Sequence, residues 1–201
     1  MGVVGAEPEE PCVKGAVIRE MMIWYVARCG RLEAERVFHA IPPEKARALR
    51  RAEPAFGIQA NTWYPMSLLG PMLDAVMARS PDEGRELARE ANAALVPRLI
   101  RGLYRFVFEM AASPERYAQM VPMLWRRLHT TGRRSMVIRS RGEAFSTIEE
   151  WPGHHPLLCW TVIYTMAFVF EAMGYRTWEV ERVACVAHGG ARCETVLRYS
   201  R

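Results

Sequence analysis

Apolar residues recur at three- and four-residue intervals through most of the first 132 residues, a pattern that predicts a series of amphipathic helices. Gly30 follows one of these segments at the position of a helix C-cap. The motifs Ser-Pro-Asp-Glu at 80–83 and Ser-Pro-Glu at 113–115 are typical of helix starts, because serine is a good N-cap and proline fits the first turn. The N-terminal part is therefore predicted to be mainly helical.

The pattern changes after Gly132. Residues 133–149 alternate between apolar and polar side chains on both sides of Gly142, which predicts a β-hairpin. A long apolar helix follows, and two further alternating segments are joined through His188-Gly189-Gly190. We therefore predict an α+β fold, in which N-terminal helices pack on a C-terminal antiparallel sheet with the order β-β-α-β-β.

The chain is predicted to contain a single domain of the ligand-binding type at 13–201. Its helical part spans 13–132 and its β-β-α-β-β part spans 133–201. Residues 1–12 are acidic and contain proline and glycine, so we expect them to form a disordered tail. The length of 201 residues suits one substantial domain.

The composition narrows the function classes. Hydrophobic residues make up 50% of the chain and charged residues 24%, which is typical of a globular protein. No apolar run is long enough to span a bilayer and no signal peptide is evident, so we expect a cytoplasmic protein. The net charge of +5 is modest, and no nucleic-acid-binding motif accompanies the arginines, so nucleic acid is not an expected partner. Phosphate-binding glycine motifs and hydrolase motifs are also absent from the sequence.

Three cysteines in the β-β-α-β-β part are candidate metal ligands. Cys185 and Cys193 lie on either side of the last turn, and Cys159 lies in the apolar helix before it. Zinc in proteins favours four tetrahedral ligands that include thiolates. The candidates for the fourth ligand are Glu181, which alternation places on the same strand face as Cys185, and the histidines 154, 155 and 188. The alternative is that the cysteines are buried simply as small apolar residues.

The C-terminal part resembles small-molecule-binding domains of the 4-vinyl-reductase type. The likeness rests on the strand–strand–helix–strand–strand order and on the ending CVAHGGARCETVLRY, where two cysteines flank a glycine-containing turn before the last strand. The superfamily also includes haem–nitric-oxide-binding sensors, TRAPP vesicle-tethering subunits and the sensor domains of aromatic-responsive NtrC-type activators. Over the whole chain, VKGAVI, TWYP and GLYRFVFEMAASPERY resemble an uncharacterised family of myxobacterial paralogues.

This resemblance implies a zinc site. In the activator sensors, three cysteines and a glutamate hold a structural zinc ion, and Cys159, Cys185 and Cys193 reproduce the intervals of 26 and 8 residues between those cysteines. The position of the glutamate is occupied here by Arg182, which cannot bind zinc. The resemblance therefore implies a site of the three cysteines with the neighbouring Glu181, or a cysteine cluster without metal.

The resemblance also implies a pocket between the helices and the sheet, where hydrophobic or aromatic molecules bind in this superfamily. The aromatic residues that we expect to line it are Tyr104, Phe108, Trp125, Trp160 and Tyr164. Haem is expected to be unlikely, because the sequence lacks the Tyr-x-Ser-x-Arg motif that binds the propionates in haem–nitric-oxide-binding proteins.

These observations favour a non-enzymatic sensor or regulatory module. It would bind a small hydrophobic or aromatic molecule or a partner protein, and the habit of the superfamily implies a homodimer. One alternative is a scaffold or adaptor with a filled core and no ligand, comparable to the TRAPP subunits. Another is an enzyme that depends on a reactive thiol.

In the segment WPGHHP at 151–156, we expect one histidine to cap the following helix and the other to be solvated.

Overall fold

The computed structural model describes residues 10–78, 81–101 and 113–201. Seven α-helices and six strands lie in these ranges. The helices are α1 (Gly15–Cys29), α2 (Arg31–His39), α3 (Pro43–Ala46), α4 (Met66–Met77), α5 (Pro81–Arg101), α6 (Pro114–Leu128) and α7 (Pro156–Ala172). The strands are β1 (Cys12–Lys14), β2 (Trp63–Pro65), β3 (Arg133–Ser140), β4 (Glu143–Glu149), β5 (Arg176–Ala184) and β6 (Cys193–Ser200).

The strands form two antiparallel sheets. Strands β1 and β2 pair in a small sheet, with Val13 opposite Tyr64. The larger sheet has the order β3-β4-β6-β5, and every neighbouring pair in it is antiparallel. Helix α7 connects β4 to β5 in the chain, so the predicted β-β-α-β-β order and the α+β class are confirmed.

Local sequence explains where the two helices next to the larger sheet begin. Ser113 caps α6, since its side chain accepts a hydrogen bond from the backbone N–H of Arg116, and Pro114 occupies the first turn. His155 caps α7 in the same way by accepting from the N–H of Leu157. Gly174 has a φ of 86° just beyond α7, a conformation that ends helices and favours glycine.

Helix α7 is buried along most of its length and belongs to two hydrophobic clusters. Its first half, which includes Cys159 and Ile163, packs in a cluster with α1, α2 and α4. Its second half, which includes Phe170, packs in a cluster with α6 and the inner face of the larger sheet. The helix therefore connects the helical part to the sheet.

Part of the predicted N-terminal tail belongs to the fold. Glu10 accepts a hydrogen bond from the N–H of Ser67, the carbonyl of Pro11 accepts from Met66, and Cys12 begins β1. The last three residues of the predicted tail thus contact the fold, whereas the domain boundaries themselves stay predictions. The rest of the predicted tail lies outside the described residues.

Within the described ranges, no helix is both long enough and apolar enough to cross a bilayer.

Candidate functional site

Three cysteines and one histidine meet where α7 contacts the turn between β5 and β6. The ligand atoms of His154, Cys159, Cys185 and Cys193 all lie within 4.8 Å of one another. The two sulfur atoms of Cys185 and Cys193 are 3.9 Å apart, and Nε2 of His154 is 3.3 Å from the sulfur of Cys185. A tetrahedral zinc ion with Zn–S bonds of about 2.3 Å separates its sulfur ligands by about 3.8 Å. The four atoms therefore have the spacing of a tetrahedral metal site.

The chain places the cysteines by two different means. Cys159 lies in the first turn of α7, where its backbone N–H donates to the carbonyl of His155, and its side chain is buried by the apolar helix. Cys185 follows β5 and Cys193 begins β6. The turn between them is closed by Gly190, whose N–H donates to the carbonyl of Cys185, and by Gly189 with a φ of 80°. The hairpin thus brings both sulfurs to one point.

His154 reaches the cysteines from the loop before α7. Its backbone N–H donates to the carbonyl of Trp151, and the two rings contact each other edge to face at 5.1 Å. Trp151 is 4% exposed, so the loop is anchored in the core. His155 points elsewhere, because its Nδ1 caps α7 and its Nε2 lies 3.1 Å from Asp74. One histidine of the pair caps the helix as predicted, whereas the other joins the cysteines instead of being solvated.

Hydrogen bonds in the group favour thiolates. Interaction with the Cys159 thiol lowers the pKa of Cys185 and Cys193, whereas interaction with those two sulfurs and burial raise the pKa of Cys159. Backbone N–H groups of the β5–β6 turn lower the pKa of Cys185 and Cys193 further. Burial opposes protonation of His154, but hydrogen bonds and charges of the cysteines outweigh it and raise the pKa of the imidazole. Thiolates are the form in which cysteine binds metals.

Glu181, the predicted fourth ligand, does not lie in the group. It pairs with Val196 across the sheet, its carboxylate is 3.5 Å from Arg198, and its side chain is 51% exposed. The prediction that Glu181 and Cys185 lie on the same face assumed a regular strand. The strand has a register shift between Arg182 and Ala184, and such a bulge changes the face on which the following side chains lie. His154 takes the place that we assigned to Glu181.

The aromatic residues that we predicted for the pocket lie in several places. Trp125 is buried, and its indole N–H donates to the carbonyls of Thr131 and Gly132. Trp160 stacks on Tyr164 at 5.8 Å, and the hydroxyl of Tyr164 accepts from Arg85. The remaining two predicted residues, Tyr104 and Phe108, lie outside the described residues.

An apolar cavity of about 50 Å³ lies among helices α1, α2, α4, α5 and α7. Its walls include Met21, Met22 and Tyr25 of α1, Met72 of α4 and Leu157 of α7. Trp125, Trp160 and Tyr164 are not part of its lining. The sequence could not indicate this cavity, because its walls are ordinary core residues at helical spacing.

Solved structures similar to this chain are H-NOX proteins. The H-NOX protein from K. algicida, in its Fe(II) unliganded state, has a TM-score of 0.67 at 9% sequence identity, and the match covers 94% of this chain and 97% of that chain. The H-NOX protein from S. oneidensis, in the Fe(II)NO ligation state, has a TM-score of 0.64 at 12% identity, with 94% and 99% covered. An oxygen-binding H-NOX domain related to soluble guanylate cyclases has a TM-score of 0.60 at 9% identity, with 94% and 95% covered. No protein-family model and no curated protein matches the sequence.

At this level of identity the likeness shows the fold. It supports the resemblance to haem–nitric-oxide-binding sensors at the level of the fold, whereas the 4-vinyl-reductase, TRAPP and myxobacterial resemblances stay predictions. The expectation that haem is unlikely is contradicted, because the similar structures are H-NOX proteins in the Fe(II), Fe(II)NO and oxygen-bound states. A further similar structure probes the function of heme distortion in the H-NOX family. That expectation relied on one short motif, and a fold is retained at 9–12% identity where short motifs no longer align.

The cavity walls contain residue types that can bind haem iron, but the cavity is too small for haem. Met21, Met22, Met72 and Tyr25 belong to residue types that bind haem iron in other proteins, whereas none of the five histidines lines the cavity. A volume of about 50 Å³ is also far below the roughly 300–1,000 Å³ of most small-molecule pockets. The porphyrin does not fit the cavity in this conformation, so the helices around it would have to separate.

Proposed function

We propose that this protein is a non-enzymatic sensor or regulatory module in which a structural zinc ion fixes the last hairpin to α7. The observation that carries the proposal is the convergence of His154, Cys159, Cys185 and Cys193 within 4.8 Å, in a chain with an H-NOX-like fold. Four protein ligands complete a tetrahedral shell and leave no position for substrate, which is the arrangement of structural zinc sites. A filled shell also leaves none of the three thiolates free as a nucleophile, which argues against the thiol-dependent enzyme.

The signal that the module receives is proposed to be a small hydrophobic or aromatic molecule, bound in the cavity among the helices. The support is the chemistry of the lining, where three of the residues are methionines. Methionine side chains rearrange readily, so the cavity can enlarge around a guest. We propose that the response passes to a partner protein, that the protein is a homodimer, and that it works in the cytoplasm, where free cysteines and thiolate-bound zinc persist.

Metal analysis of the purified protein tests the zinc site. We expect one zinc ion per chain, measured by elemental analysis after gel filtration. His154→Ala is expected to lower the zinc content or weaken zinc binding at least tenfold, whereas Glu181→Ala is a matched control that leaves both unchanged. A wild-type chain without zinc after purification in zinc-containing buffer would remove the main support for the proposal. Loss of zinc in Glu181→Ala but not in His154→Ala would show that Glu181, and not His154, is the fourth ligand.

Native mass spectrometry tests the ligand. The intact mass under gentle conditions is compared with the mass after denaturation, and a bound molecule is expected as a reproducible excess that denaturation removes. If the excess equals the mass of zinc alone, the result favours the scaffold with a filled core, which agrees with a cavity of only about 50 Å³.

A haem-dependent sensor is the second candidate, and the H-NOX-like fold is the observation that favours it. In that case Met21, Met22, Met72 or Tyr25 would be available to the iron, and the haem would provide the site at which a small gas molecule binds. Titration of the protein with hemin at a known concentration tests this candidate. A sharp Soret band that saturates at one haem per chain and weakens in Met72→Ala supports it. A broad band without saturation speaks for a ligand other than haem.

A further inference from the structure

The larger sheet has one face that helices cover and one that faces solvent among the described residues. Met136 and Leu197 lie on the inner face, where they pack in the hydrophobic cluster with α6 and α7. Alternate residues point the other way, and we call the side that carries Val137, Phe145 and Val196 the outer face. Val137 is 52% exposed, so an apolar side chain meets water on this face.

Four charged side chains cross the outer face in a line, one from each strand. In the strand order β3-β4-β6-β5 they are Arg139, Glu143, Arg198 and Glu179. The nitrogen–oxygen distance is 3.8 Å between Arg139 and Glu143, 3.3 Å between Glu143 and Arg198, and 2.6 Å between Arg198 and Glu179. The signs therefore alternate across the sheet, from a positive charge on edge strand β3 to a negative charge on edge strand β5.

This row of charges is accessible to a partner. The side chains at its two ends, Arg139 and Glu179, are 47% and 43% exposed. The guanidinium of Arg139 lies 3.6 Å above the ring of Phe145, which keeps its charge over the sheet instead of beyond its edge. Ion pairs that are this exposed contribute little to the stability of a single chain. A contact with another molecule would give the row a further role.

An alternating row of four charges is complementary to itself. Read from the β5 edge, its signs are negative, positive, negative and positive. A two-fold axis above the sheet, parallel to the strands and midway between β4 and β6, places β3 of one copy over β5 of the other. Arg139 then faces Glu179 of a second copy, and Glu143 faces Arg198 of that copy. Sheets that pack face to face keep their strands within about 30° of each other, as this arrangement does.

The next row along the strands gives such a contact an apolar centre. Val137, Phe145 and Val196 are register partners across β3, β4 and β6. The same two-fold axis places Phe145 opposite Val196 of the second copy. Glu181 ends this row on β5, is 51% exposed, and adds a negative charge close to Arg139 of the second copy. An apolar centre with charged surroundings is the usual anatomy of a protein interface.

We propose that the outer face of the larger sheet is a dimer interface, and that a second copy of this chain occupies it. Four strands of about seven residues form a face of about 19 Å by 23 Å. Two such faces with their projecting side chains bury on the order of 1,000 Å², which is the lower end for a specific interface and predicts a reversible dimer. This inference rests on the homodimer of the proposed function and adds the surface through which it forms.

Charge reversal in the full chain tests the interface, with the dimer Kd measured by sedimentation over a series of protein concentrations. In a homodimer, Arg139→Glu places glutamates against glutamates, and Glu179→Arg places arginines against arginines. Each variant alone is expected to raise the dimer Kd at least about tenfold, because like charges in contact oppose association. An equimolar mixture of the two variants restores opposite signs at both contacts, so its Kd is expected to lie within about threefold of wild type.

Arg126→Glu is the matched control. Arg126 is an exposed arginine of α6, the helix that packs on the inner face, so its reversal is expected to change the dimer Kd less than about twofold. The mixture also controls for folding, since a variant that has lost its structure does not complement the other. Zinc content is measured on the same samples.

The outcomes separate this inference from the rest of the proposed function. A dimer that persists in both single variants overturns the interface and leaves the homodimer in place. A mixture that stays monomeric, when wild type dimerises, overturns the two-fold arrangement. A wild type that is monomeric over the whole concentration series overturns the interface and the homodimer together, whereas its zinc content decides the metal site independently.

Discussion

The buried histidine His129 is expected to make this protein less stable in acid. His129 is 7% exposed, stacks on Trp125 at 3.9 Å and contacts the edge of Trp151 at 5.6 Å. Its Nδ1 is buried and has no hydrogen-bond partner among the described residues. Burial, together with the charge of Arg134, lowers the pKa of His129 from 6.5 to about 3.

The direction of the effect follows from proton uptake on unfolding. Between pH 6.5 and 3 the unfolded chain protonates this histidine and the folded chain does not, so the free energy of unfolding falls as the pH falls. With these two pKa values, the loss between pH 7 and pH 5 is about 2 kcal/mol, and it approaches about 5 kcal/mol below pH 3. Above pH 6.5 the contribution of His129 to stability is fully present.

Urea denaturation at pH 7 and pH 5, followed by circular dichroism, measures this loss. A chelator is present throughout, so that release of a metal ion does not contribute. In His129→Phe, which keeps an aromatic ring against Trp125, the pH-dependent loss is expected to be smaller by about 2 kcal/mol. The exposed histidine variant His39→Gln should behave like wild type. If His129→Phe loses as much stability as wild type between the two pH values, the histidine is not held neutral in the folded protein.

Four further perturbations test the packing and the metal centre. Phe170→Ala removes a ring with 0% exposure and is expected to cost about 3–5 kcal/mol, or about 6–20 °C in Tm by calorimetry, and a cost below about 1 kcal/mol would contradict the packing described here. Gly15→Ala places a Cβ 2.2 Å from the carbonyl oxygen of Gln59 and is expected to cost more than about 2 kcal/mol in urea denaturation. Gly70→Ala, in a helix where nothing lies within 4 Å of the added carbon, should instead gain about 0.5–1 kcal/mol, so a similar effect of both substitutions would be inconsistent with the structure. Zinc at about 1,000 times its Kd should stabilise wild type by about 4 kcal/mol and leave Cys193→Ser unchanged, and equal stabilisation of both proteins would show that the ion binds elsewhere.

The sequence predicted the elements whose pattern is local. The hairpin of β3 and β4 followed from alternation around Gly142, and α7 followed from its apolar run between Pro156 and Gly174. Strand β1 has little pattern of its own, because it is three residues long and pairs with a segment about fifty positions away.

The candidate site was predictable only as far as it depends on local sequence pattern. The intervals between Cys159, Cys185 and Cys193 are a sequence property, and the structure brings these cysteines together. The fourth member of the group depends on a register shift in β5 and on how a loop packs against Trp151, and neither leaves a signal in one sequence. Glu181 was preferred by assuming a regular strand, whereas His154 was one of three candidate histidines and ranked below Glu181, because adjacent histidines before a helix usually act as caps or face water.

Helix α7 connects the cavity to the group of three cysteines and one histidine. Leu157 forms part of the cavity wall, and Cys159 belongs to the four-residue group two positions later on the same helix. These positions are about 3 Å apart along the helix axis, so we expect a guest that displaces this part of the wall to displace the sulfur as well. The coordination geometry of a bound ion should therefore record what occupies the cavity, and the visible absorption of a cobalt-loaded sample would change colour as the guest enters.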